Sequence, residues 1–125
     1  METDNTVSIW IGNFKNLTEL ENYINLTYDD EGEIVVSDSF NDFKIDINDI
    51  DEDLIEKAVL SNETNDISII LRTASYEEQL LCELNVLESL TINKGNAVVL
   101  IYNYAYDGSV KSSDYLNFIT SVDYR

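Results

Sequence analysis

The sequence predicts an α+β fold: a mostly antiparallel sheet of about four strands with helices packed on it, in a single domain spanning residues 1–125. Three observations lead there. A length of 125 residues suits one core, burying roughly two-thirds of the surface of the unfolded chain without help from metal or disulfide. Apolar residues alternate with a period of two near both ends of the chain. Between those ends, leucine and isoleucine recur at the spacing of an amphipathic helix.

The first element is the strand "TVSIWIGNF", in which Val7, Ile9 and Ile11 alternate with Ser8, Trp10 and Gly12. "NLTELENYINLTY" follows as a helix of about three turns. Asn16 is its N-cap with Glu19 three residues on, and Leu17, Leu20, Ile24 and Tyr28 form its stripe. Gly32 marks a turn, and Ser37 caps a short helical turn that brings Phe40 and Phe43 inward. "LIEKAVL" fits a strand or a helical turn, and strand is preferred. Ile67 to Leu71 is apolar except at Ser68 and fits either state. Ser75 with Glu78 is a second capping-box pattern, heading a helix with Leu80, Leu81, Leu84, Leu87 and Leu90 on one face. Asn93-Lys94-Gly95 ends it, with Gly95 as the left-handed residue.

"NAVVLIYNYAYDG" is a strand with Val98, Leu100, Tyr102, Tyr104 and Tyr106 on one face, apolar on both faces at its start and therefore central. Asp107-Gly108 opens a turn into "YLNFITSVDY", where Leu116, Phe118, Thr120 and Val122 share a face. Together these two strands read as an antiparallel hairpin.

Charge is the outlying property. The net charge is −18. Residues 1–66 hold 18 acids and 3 bases, a net of −15; residues 67–125 hold 7 acids and 4 bases, a net of −3. From Asp29 to Glu56 twelve acids stand against Lys44 alone. Such a surface repels phosphate backbones and anionic membrane, so direct nucleic-acid or membrane binding is not expected. The start "METDNTVSIW" lacks the basic and apolar regions of a signal peptide, and the apolar run "AVVLIY" is far too short to span a bilayer. With one cysteine no internal disulfide forms. These features place the protein in the cytoplasm.

Catalysis is not expected. There is no histidine, which removes the commonest general base and the serine and cysteine triads. The four glycines are scattered, so there is no phosphate loop. Zinc would have only Cys82, itself read as a buried, inert thiol. The frame from Asp46 begins like a calcium loop and then fails, with Asp51 where a glycine is needed and Lys57 in place of the final glutamate. No cofactor is expected.

Concentrated like charge costs stability by self-repulsion. Here Phe40, Phe43, Ile45, Ile47, Ile50 and Leu54 are threaded through it, which implies an ordered acidic face rather than a loose tail. The candidate partner-binding residues are Asp29, Asp30, Glu31, Glu33, Asp46, Asp49, Asp51, Glu52, Asp53 and Glu56. Tyr104 and Tyr106, nearing the end of the sheet, are expected to be partly exposed as aromatic anchors, whereas Tyr102 and Trp10 are read as core.

The stretches "VSIWIGNFKNLTELENYI", "DFKIDINDIDEDLIE", "SYEE", "VVLIYNYAYDG" and "FITSVDY", in that order, resemble the twenty-second family of immunity proteins of bacterial polymorphic toxin systems. The resemblance implies a small non-catalytic protein of the cytoplasm. Such a protein binds and neutralises a cognate toxin, often a nuclease, in contact-dependent competition between neighbouring cells. A nuclease is cationic where it holds phosphates, so an acidic inhibitor matches it. The alternative function is a nucleic-acid mimic that blocks a DNA-binding protein. The family supplies no contact residues, and the oligomeric state stays open.

Overall fold

A computed structural model describes residues 2–35, 37–72, 74–85 and 94–124. The elements run β1 (Glu2–Gly12), α1 (Leu17–Ile24), β2 (Thr27–Tyr28), β3 (Ile34–Val35), α2 (Asp38–Phe43), two 3₁₀ turns (Ile47–Asp49 and Glu52–Leu54), β4 (Ile55–Thr64), α3 (Ile67–Ile70), α4 (Glu77–Asn85), β5 (Gly95–Tyr104) and β6 (Leu116–Asp123). The main sheet is antiparallel in the order β4-β5-β1-β6, and β2 and β3 form a separate two-stranded hairpin. The class is the α+β expected, and the segment from Ile55 is a strand.

The last two strands are not the hairpin expected. β1 lies between them, with Ile9 opposite Leu100 of β5 on one side and Thr120 of β6 on the other. The physical reason is burial. β1 and β5 carry large apolar groups on both faces and need cover on both, so they take the centre. Most of β6 is only half-buried, which suits an edge.

Helices cover both faces of the sheet. Trp10, Val99, Ile101 and Leu116 face Leu20, Tyr23 and Ile24 of α1 and Phe40 and Phe43 of α2. Val7, Ile9, Ile11, Val98, Leu100 and Tyr102 face Ile70 and Leu71 on the α3 side and Leu80 and Leu84 of α4. Trp10 is core as expected, with Phe118, Tyr106 and Phe43 rings at 5.2, 5.4 and 5.9 Å.

Neither tyrosine of the expected exposed pair reaches solvent: Tyr104 is 3 % exposed and Tyr106 7 %. The strict alternation that predicted one face for Tyr102, Tyr104 and Tyr106 breaks at Asn103, whose φ is 58°. Asparagine tolerates this left-handed backbone because its short amide bonds locally. Its Oδ1 accepts from the Asn5 N–H at 3.1 Å and from the Tyr124 hydroxyl. Beyond that kink the side chains change sides, so Tyr102 joins the α3–α4 layer and Tyr104 and Tyr106 join the α1–α2 layer. Buried Ser8 secures the crossing: its Oγ donates to the Tyr104 carbonyl at 2.8 Å and accepts from the Tyr106 N–H at 2.9 Å. A register shift opposite Ile9 and Trp10 does the same to β6, so that Phe118 and Val122 pack in different layers instead of sharing a face.

Local signals fared unevenly. Asn16 caps α1, its Oδ1 accepting from the Glu19 N–H at 2.9 Å, and Glu19 reaches back to the Lys15 N–H. The helix ends at Ile24, so Tyr28 is not part of it. Ser75 caps nothing: α4 begins at Glu77, and the Ser75 hydroxyl and N–H both donate to Glu56. Gly95 opens β5 and is not left-handed; its need is steric, since a Cβ there would stand 2.7 Å from the Gly12 carbonyl oxygen. Cys82 is exposed, because it lies about 200° around α4 from both Leu80 and Leu84, which face the sheet. Leu87, Leu90 and the helix end at Asn93 lie outside the described residues.

Burial has a pH consequence. It pushes the hydroxyls of Tyr23, Tyr102 and Tyr104 well above the ordinary tyrosine value, with further upward pushes from Asp42 on Tyr23, Glu56 on Tyr102 and Asp49 on Tyr104. Above about pH 10 these groups ionise in the unfolded chain and stay protonated in the folded one. The unfolded state then binds fewer protons, so stability present below that pH is lost as pH rises. Absorbance titration near 295 nm should show these tyrosines ionising only with cooperative alkaline unfolding. Smooth titration of all tyrosines in a protein still folded would contradict it.

Candidate partner-binding surface

The acidic candidates divide by what their carboxylates already do. Asp29 closes the β2–β3 turn: its Oδ1 accepts from the N–H groups of Glu31 and Glu33 at 2.9 and 3.0 Å. Gly32 supplies the left-handed residue there, at φ 81°. Asp46 and Asp51 cap the two 3₁₀ turns, accepting from the N–H groups of Asn48 and Asp53 at 2.9 and 3.0 Å. This capping, with short polar side chains just before each turn, explains part of the acid density in "IDINDIDEDLIE".

Glu56 is half-buried and braces the α3–α4 layer. Tyr102 donates its hydroxyl to it, and Ser75 donates both hydroxyl and N–H. Asp49 is half-buried, and its charge pushes the Tyr104 hydroxyl up further. The other eight are exposed at the surface, and of these Asp30, Glu31, Glu33, Glu52 and Asp53 close no turn and cap no helix.

The structure joins two groups separated in sequence. Tyr28, at the end of β2, donates its hydroxyl to Glu52 Oε1 at 3.0 Å, tying the hairpin to the second 3₁₀ turn. That hydrogen bond, followed by the charges of Glu52 and Asp53, raises the Tyr28 hydroxyl above its ordinary value. The acids of residues 29–33 and of 51–53 therefore flank one side chain. Tyr28 is 57 % exposed and Ile34 opposite it 45 %, and Val35, on the other side of the hairpin, is 47 % exposed. The resulting surface has an apolar centre and an anionic surround.

That apolar centre was missed in the sequence because Tyr28 matched the helical stripe of α1. The overlooked signal is "LTYDDEGEIVV", with Thr27-Tyr28 before an acidic glycine turn and the β-branched pair Ile34-Val35 after it, which is hairpin composition. Tyr104 and Tyr106 contribute nothing to this surface, being buried.

Among the described residues, no group of three or more carboxylate or cysteine side chains is arranged to hold a metal ion, and no helix is long and apolar enough to cross a membrane. Comparison with curated proteins and with solved structures finds no match. A family model described as Immunity protein 22 matches residues 7–125, from the apolar core of β1 through β6, and the chain belongs to that family.

Proposed function

We propose that this immunity protein neutralises one cognate bacterial toxin by direct protein–protein contact, that the toxin is a basic nuclease, and that the acidic surface of residues 29–53 meets it. Immunity proteins neutralise toxins, and as a family they generally act without catalysis. The observation that carries the finer reading is the one-sided charge, with net −15 in residues 1–66 and exposed carboxylates at Asp30, Glu31, Glu33 and Asp53. A nuclease holds phosphates with lysine and arginine, so its working surface is the complement of this one. Complementary potentials steer encounter, raising association rates to about 10⁸–10⁹ M⁻¹s⁻¹ at low salt. The toxin is met in the cytoplasm of the producing cell or of a sibling.

A nucleic-acid mimic would present its carboxylates as phosphate surrogates. Asp29, Asp46, Asp51 and Glu56 instead accept hydrogen bonds from the protein itself, which weighs against that use. Co-expression with the toxin encoded beside it tests the proposal. Surviving cells and a single co-purifying partner are expected. Cell death with no complex would sink the reading; capture of many basic proteins, released by duplex DNA, would favour the mimic.

A further inference from the structure

We propose, resting on the toxin-binding reading above, that the β2–β3 hairpin is the anchor of the interface and inserts Tyr28 and Ile34 into an apolar cleft of the toxin rimmed by lysine and arginine. Tyr28 and Ile34 are cross-strand partners, and opposed residues project to the same side of a ladder. Thr27 and Val35 take the other side, and all four are exposed, so the hairpin rests neither face on the core.

Single exposed apolar residues are ordinary on a protein surface. This set is not single. Six large hydrophobic side chains are exposed among the described residues, and this hairpin carries three of them within eight residues, Tyr28 and Ile34 on one side and Val35 on the other. A two-stranded hairpin has little stability of its own in water. This one is fixed at its tip by Asp29 and at its side by the Tyr28–Glu52 bond. That bond also holds the Tyr28 ring before any partner arrives. A tyrosine already ordered loses less entropy on binding, the condition under which aromatic anchors contribute most.

The surround selects the occupant. From Asn16 to Phe43 the chain has no lysine or arginine; Asp30, Glu31 and Glu33 lie in the turn that joins Tyr28 to Ile34, and Glu52 and Asp53 act on the Tyr28 hydroxyl. A second copy of the chain would set these acids against themselves, and a nucleic acid would set them against phosphates. A cationic protein rim around an apolar centre satisfies both parts, as in interfaces with an apolar core and a polar edge.

The test is titration of the purified toxin domain against intact wild type, Tyr28→Ala/Ile34→Ala and, as an exposed apolar control on α1, Leu17→Ala. The hairpin variant should weaken binding about a hundredfold and the control less than about threefold, the hot-spot pattern. In parallel, hydrogen exchange on the wild-type complex should show amides 27–35 newly protected, a readout that does not depend on a variant folding. Unchanged affinity of a folded hairpin variant, or unchanged exchange at residues 27–35 within a formed complex, overturns the anchor and leaves toxin binding standing. No complex with wild type removes both.

Discussion

Gly12→Ala should destabilise the protein by roughly 3 kcal/mol or more, at the upper end for overpacking a close-packed site. Gly12 sits between Ala97 of β5 and Leu116 of β6. A Cβ there would stand 2.0 Å from the Tyr115 carbonyl oxygen and 3.0 Å from the Leu116 Cα. Both atoms are backbone, so the strand would have to move as a unit, carrying Leu116 out of the core. Gly32→Ala is the control. Its Cβ meets nothing, and its cost is the left-handed φ of 81° alone, about 1–2 kcal/mol. Urea unfolding should show midpoints in the order wild type, Gly32→Ala, Gly12→Ala. The thermal midpoint of Gly12→Ala should fall by roughly 10 °C. Equal midpoints for the two variants would mean that β6 yields at little cost.

The second large effect is kinetic. Replacing Asp30, Glu31, Glu33 and Asp53 by their amides removes four of 25 acids against seven bases and takes the net charge from −18 to −14. None of these four side chains closes a turn or caps a helix, whereas Asp29, Asp46 and Asp51 do and are kept. Association with the toxin at low salt should slow about 10- to 100-fold while dissociation changes far less, because exposed rim charges act mainly on encounter. The salt dependence of the association rate should flatten in step. Folding stability should hold or rise slightly, since self-repulsion is relieved. Wild-type association rates in the neutralised protein, with its fold intact, would remove the acidic surface from the mechanism.

Much of this was legible in the chain. The period of two in Val7, Ile9 and Ile11 and the capping pair Asn16 and Glu19 are local signals, and each is realised where it is written. The α+β class follows from such signals, because burying apolar faces with these periods leaves few layer arrangements. The limits are also particular. Periodicity put Tyr104 and Tyr106 on the face of Tyr102, and one asparagine with φ of 58° moved them to the other layer. A capping-box pattern at Ser75 was outweighed by a carboxylate 19 residues away.

By itself, then, the sequence determined the fold class, the existence of the principal strands and helices, the absence of histidine chemistry and the concentration of negative charge in one half. These depend on composition and on spacing within a few residues. Tertiary structure alone decided that β1 separates β5 from β6, that Glu56 braces the α3–α4 layer, and that Tyr28 and Ile34 face solvent beside Glu52. Each of those depends on a partner distant in the chain (Glu52 for Tyr28, Ser75 and Tyr102 for Glu56, Leu100 and Thr120 for Ile9), and no local pattern encodes a distant partner.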